Sequence, residues 1–165
     1  NDPLVKERFK IEKKIFKNLI NFCNENALKL YYYDRPVGNN KNYIRKVFGD
    51  DFFFIKNSKK NLKRLINSNF LFVNLHSTLG YELISRGVKC IFFNHHTLYH
   101  GKKYRKEGLF WSQNHNKNSV YKLLNNLIKM DQKKWMHRSI KFSKELCLFD
   151  KNNNKKKNII SKNCN

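Results

Sequence analysis

The sequence predicts an α/β fold in which helices flank a parallel sheet, and two observations predict it. Short, almost wholly apolar runs rich in Phe, Val and Ile, at residues 70–75 and 88–93, read as strands buried on both faces. Other stretches place apolar residues at three- and four-residue steps, and the repeating strand–helix order is the one a parallel sheet requires.

The elements follow in order. Residues 4–26 set Phe9, Ile11, Ile15, Phe16, Leu19, Ile20 and Phe22 at mixed three- and four-residue steps with Lys between them, an amphipathic helix. Residues 28–33 read as a strand closed by a loop that Pro36 and Gly38 punctuate. A short helix at 42–48, a strand at 51–55 and a helix at 58–67 capped by Ser58 come next. The strand at 70–75, a polar turn, a helix that Ser77 or Thr78 caps and Gly87 stops, and the strand at 88–93 then form one βαβ crossover.

After residue 93 the pattern changes. Residues 94–113 hold three of the six histidines with Tyr, Lys and Gly and no periodicity, which predicts a long loop, uncommon in a compact domain unless it binds something or moves. Residues 118–130 and 131–146 read as two helices, the second capped by Asp131, with Trp135 and Phe142 on helical faces suited to a core. Residues 151–165 are a Lys/Asn tail with too little apolar content to pack, so disorder is expected there.

A net charge of +23, from 35 basic and 12 acidic side chains, raises a nucleic-acid reading. The basic residues are spread along the chain, most are Lys rather than the bidentate Arg, and they travel with abundant Asn, Ile and Phe, a compositional bias. No nucleic-acid partner is expected; peripheral contact with an anionic membrane is, since each Lys near such a surface contributes about 1 kcal/mol. No apolar run of about 18 residues and no amino-terminal signal occurs, so a cytoplasmic protein working at the inner membrane face is expected. Cys23, Cys90, Cys147 and Cys164 lack CxxC spacing and read as reduced thiols, Cys90 as a core side chain. His95, His96 and His100 suit zinc poorly, because adjacent histidines diverge and no His-Glu-x-x-His is present, so no metal site is expected. A P-loop, a nucleophile elbow and a Gly-x-Gly-x-x-Gly stretch are all missing, which argues against NTPase, hydrolase and dinucleotide-oxidoreductase classes.

Ligands of open α/β sheets bind beyond the carboxyl ends of the strands, and residues 76–82 occupy that place. Ser77, Thr78 and the amides of Leu79 and Gly80 can hold phosphate or ribose oxygens at a helix start, or simply cap it. His76 can touch phosphate or move a proton, or serve as a structural histidine. Arg35, after the first strand, can grip a pyrophosphate bidentately or remain a solvated loop charge. Phe110 and Trp111 can stack on a base or pack in the core.

The run Ser77-Thr78-Leu79-Gly80-Tyr81-Glu82, followed by a short helix, Arg86-Gly87, a basic residue and an apolar strand, resembles bacterial surface-carbohydrate biosynthesis proteins, which are similar to GT-B glycosyltransferases. The likeness continues through Gly108-Leu109-Phe110-Trp111, the helices around Met130 and Trp135, and Leu148-Phe149-Asp150, spanning residues 28–160. It implies that residues 1–150 form a Rossmann-like nucleotide-sugar-binding domain, the carboxy-terminal half of a GT-B fold. Glu82 matches the acidic residue that holds the ribose hydroxyls in such enzymes, a task for which a carboxylate can accept two hydrogen bonds; its other role is a first-turn acid favoured by the helix dipole. The implied partners are a nucleotide-sugar donor, as substrate rather than cofactor, and a glycan or lipid-linked acceptor. Because 165 residues make one domain, begin Asn1-Asp2-Pro3, and a GT-B enzyme needs two, a missing amino-terminal domain that supplies the catalytic base is expected. The function implied is sugar transfer during surface polysaccharide or lipid-linked glycan synthesis. A nucleotide-sugar epimerase of related architecture and a non-catalytic GT-B-like binding module are the alternatives.

Overall fold

The computed structural model describes residues 3–34, 41–75, 78–93 and 108–146. Its elements alternate: α1 (Pro3–Glu25), β1 (Tyr31–Tyr33), α2 (Lys41–Phe48), β2 (Phe53–Ile55), α3 (Lys59–Ile66), β3 (Phe72–Asn74), α4 (Leu79–Ser85), β4 (Cys90–Phe93), β5 (Trp111–Ser112), α5 (Lys117–Lys129) and α6 (Gln132–Leu146). Each strand pairing is parallel: Tyr32 opposite Phe54 between β1 and β2, Val73 opposite Ile91 between β3 and β4, and Phe92 opposite Trp111 between β4 and β5. Parallel strands alternating with helices make this an α/β protein consistent with a Rossmann-like fold.

Two corrections follow. The described strands form two ladders, β1–β2 and β3–β4–β5, rather than one sheet. Packing bridges the gap: Leu30 touches both apolar clusters, and the ring of Tyr31 meets Phe70 edge-on at 5.5 Å. The segment expected to be a loop at 94–113 ends in β5, whose backbone is held by Phe92 N–H donating to the Phe110 carbonyl at 2.8 Å. Residues 94–107 of that segment lie outside the described residues, as do the three histidines and the tail at 151–165.

The larger cluster is built on β4. Cys90, Ile91, Phe92 and Phe93 are all buried, and Leu83 and Ile84 of α4, Ile15, Leu19 and Phe22 of α1, the inner face of α5 and Trp135 of α6 close over them. The smaller cluster, Phe16 of α1, Ile44 of α2 and Phe52, fastens the β1–β2 ladder. The mixed three- and four-residue spacing of α1 thus serves two clusters: Ile15, Leu19 and Phe22 face the large one, and Phe16, about 100° from Ile15, faces the small one.

Helix ends are set by local chemistry. Ser58 accepts a hydrogen bond from the Asn61 amide at 3.1 Å, Asn116 from that of Ser119 at 2.8 Å, and Asp131 from that of Lys134 at 2.8 Å, which cap α3, α5 and α6. Gly87, at φ +83°, closes α4 in a Schellman turn: its amide donates to the Ile84 carbonyl and the Val88 amide to that of Leu83, both at 3.0 Å. The end of α1 uses the same turn, yet the left-handed position at φ +51° is Ala27, which lacks glycine's freedom.

Candidate functional site

Leu30, Phe52, Leu71 and Phe110 immediately precede β1, β2, β3 and β5, and Lys89 precedes β4, while amide side chains stand at or just past the carboxyl ends of β2 (Asn57), β3 (Asn74) and β5 (Asn114). At the exit of β1 and β2, Tyr33 donates its hydroxyl to Asn57 Oδ1 at 3.1 Å, and Asn57 Nδ2 donates to the Asp34 carbonyl at 3.2 Å. This fixes the backbone at the point where the chain turns toward Arg35, which lies outside the described residues. At the exit of β5, Ser112 Oγ accepts from the Asn114 amide at 2.9 Å, and Asn114 Oδ1 accepts from the Asn116 amide at 3.1 Å. Asn18 of α1 donates to the His115 carbonyl at 3.1 Å, which ties the first helix to the same edge.

The exit of β3 leads to the predicted turn. Asn74, the last residue of that strand, is a buried polar side chain packed beneath the first turn of α4. A Cβ built at Gly80 would stand 2.6 Å from Asn74 Cγ and Nδ2, closer than any side chain tolerates, so glycine here is what lets the helix lie on the strand end. The sequence reading missed Asn74. Its signal was a polar residue interrupting the apolar run from Phe70 to Leu75, where both faces are expected to be buried.

His76 and Ser77 lie outside the described residues. Thr78 occupies the cap position, but its backbone is already helical (φ −61°, ψ −20°) and its hydroxyl makes no capping bond; only its carbonyl enters the helix, accepting from the amides of Tyr81 and Glu82. Side-chain capping by Thr78 is therefore corrected: an extended cap residue aims its oxygen at the helix amides, and a helical one does not. Leu79 packs against the large cluster, so only its backbone can meet a ligand.

Glu82 stands in the first turn of α4, its side chain 42% exposed. One carboxylate oxygen accepts from Arg86 Nη2 at 2.6 Å, one turn along the same helix. That arrangement, acid four residues ahead of base, adds only about 0.3–0.5 kcal/mol at a surface, so a competing ligand would have little to displace. Next to it Tyr81 stacks on Phe92 at 5.1 Å, which fastens the helix to β4.

Phe110 and Trp111 belong to the core, the second of their two sequence-derived roles. Phe110 is 1% exposed and meets Phe92, Trp111 and Trp135 edge-on, leaving no ring face open to a base. Trp111 is buried in β5. Cys90 is wholly buried, and burial pushes its thiol far above the ordinary cysteine range, as expected of a core side chain; Cys23, half buried, is pushed up by the same cause. Thr78 and the first turn of α4 thus follow the carboxyl end of β3, whereas Phe110 and Trp111 are packed in the core.

No helix among the described residues is long and apolar enough to cross a membrane. A family model described as "putative O-antigen biosynthesis protein" matches residues 4–164. No curated protein and no solved structure matches.

Proposed function

Because this chain belongs to that family of O-antigen, or surface-polysaccharide, biosynthesis proteins, we propose that it is the donor-binding half of a glycosyltransferase that takes sugar from a nucleotide-activated donor and adds it to a glycan or lipid-linked acceptor. The observation that carries the reading is the parallel β3–α4–β4 crossover, which sets an exposed carboxylate, Glu82, in the first turn of the helix beyond a strand's carboxyl end. A carboxylate there accepts hydrogen bonds from both hydroxyls of a ribose and so orients the nucleotide. The amides of Leu79 and Gly80, at the helix start, and the guanidinium of Arg35 face the diphosphate in this reading, with His76, Ser77 and Thr78 beside them. Their work is to stabilise the charge that develops on the departing nucleotide, and the catalytic base comes from an amino-terminal domain outside this sequence.

A second reading draws on the Glu82–Arg86 pair. An acid already engaged by a neighbouring guanidinium also suits a GT-B-like module that binds glycan without catalysis.

Titration of the chain with a panel of nucleotide sugars, monitored by calorimetry, tests both. The donor reading expects one of them to bind, Glu82→Gln to weaken it by about ten- to a hundredfold, the worth of a charge-assisted hydrogen bond, and Arg86→Gln to leave it unchanged or tighter. Equal affinity in the Glu82→Gln and parent proteins removes Glu82 from the site. Binding of free glycan with no response to any nucleotide sugar favours the module.

A further inference from the structure

The longest helix, α1, divides its surface sharply. Ile15, Leu19 and Phe22 face the large cluster and Phe16 the small one. At 100° per residue, Lys6, Lys10, Lys13 and Lys17 fall within about 60° of arc on the opposite side of the helix. All four are exposed, and among the described residues none of them meets a carboxylate. They form a straight ridge about 16 Å long at 1.5 Å per residue. Phe9, 37% exposed, flanks the ridge, and Lys14 stands on the other flank together with the exposed Glu7.

We infer that this ridge is the face by which the protein lies on a bilayer containing anionic lipid. Four like charges aligned on a folded helix repel one another, and a surface of opposite potential is what repays that cost. The chemistry of the ridge selects the partner. A lysine ammonium is a hydrated point charge that gains from a diffuse surface potential without needing a shaped phosphate site, whereas recognition of individual phosphates favours the Arg fork. A convex ridge meets a flat surface along its whole length. The buried side of α1 is already committed to the core, so the helix would bind without unfolding or rotating. The inference is independent of the donor-binding reading, which concerns α4 and not α1.

Co-sedimentation of the full chain with vesicles of phosphatidylcholine alone, or mixed with phosphatidylglycerol, tests it. Binding is expected only to the mixed vesicles and is expected to fall steeply as salt is raised. At about fivefold per lysine, the variant with Lys6, Lys10, Lys13 and Lys17 all changed to Gln should lose several hundredfold. A variant with Lys59, Lys60, Lys63 and Arg64 of α3 changed to Gln removes the same charge elsewhere and should bind nearly as the parent does. Equal losses in the two variants, binding that survives high salt, or a ridge that binds duplex DNA and ignores vesicles would each overturn the inference. Circular dichroism checks that both variants fold; should the ridge variant not fold, the salt and lipid dependence of the parent decides.

Discussion

β4 is buried from end to end, whereas β1 and β2 each open with an exposed aromatic, Tyr31 and Phe53, the latter 55% open to solvent. The two ladders share strand direction and aromatic content, so composition does not distinguish them. Coverage does. Residues of α1, α4, α5 and α6 pack into one cluster with β4, while the β1–β2 pair is packed by Phe16, Phe48 and Phe52 and leaves Tyr31 and Phe53 with tilted rings 5.3 Å apart. Lys29 places its ammonium 5.9 Å above Phe53, a partial cover that a charged side chain can give an apolar ring. The contrast teaches that a parallel strand's apolarity becomes stability only where helices close both of its faces.

Four substitutions test that contrast, the largest effect first. Trp135→Ala empties a site with no exposed surface, whose indole also donates to the Gly87 carbonyl at 3.0 Å; a loss of about 3–5 kcal/mol in urea unfolding is expected. Phe16→Ala, in the small cluster, should cost less than the roughly 3 kcal/mol ordinary for a buried ring, and an equal or greater loss would break the comparison. Gly80→Ala should destabilise by about 1–3 kcal/mol although alanine is the better helix former, because the methyl collides with Asn74. Ala27→Gly should stabilise by about 1 kcal/mol by relieving the left-handed strain at the end of α1, read as a raised melting temperature.

Native-state hydrogen exchange sharpens the same point without mutation. Amides of β4 should exchange only through global unfolding, and those of β1 and β2 through cheaper local openings. Thiol labelling followed by peptide mapping gives a parallel reading, with Cys90 labelled far more slowly than Cys23. At the surface, Lys117 donates to Glu25 at 2.9 Å and holds that carboxyl below its ordinary range, while Lys117 itself is raised. Their contribution should therefore be present at neutral pH, be lost as pH falls through the lowered Glu25 value, and be lost again as pH rises through that of Lys117. Lys117→Met should remove the alkaline dependence and weaken the acid one, to which Tyr121 also contributes.

What the sequence made legible was whatever is decided locally. The period of α1, the caps at Ser58 and Asp131, the glycine stop at residue 87 and the parallel crossover around α4 each depend on neighbours a few residues away, and each is present. β5 escaped because two residues, Trp111 and Ser112, are too few to show a period, and their aromatic run invited a ligand role. The split between ladders escaped because nothing in Leu30 or Phe70 states whether their strands will hydrogen-bond or merely pack. The placement of Glu82 in the first turn of α4 was legible from position along the crossover. The hold of Arg86 on it was implicit in a four-residue spacing, and Asn74 in a broken apolar run.

The carbonyl of Gly87 accepts from both Gln132 Nε2, at 2.8 Å, and Trp135 Nε1, and Met136 occupies the space a Cβ there would need. One peptide unit thereby registers the final helix against the crossover. Drift by substitution is open to most of this surface, but lengthening or shortening the chain between Arg86 and Val88 would cast off both donors in a single step, so that bend should be the place in the lineage where insertions and deletions fail to survive.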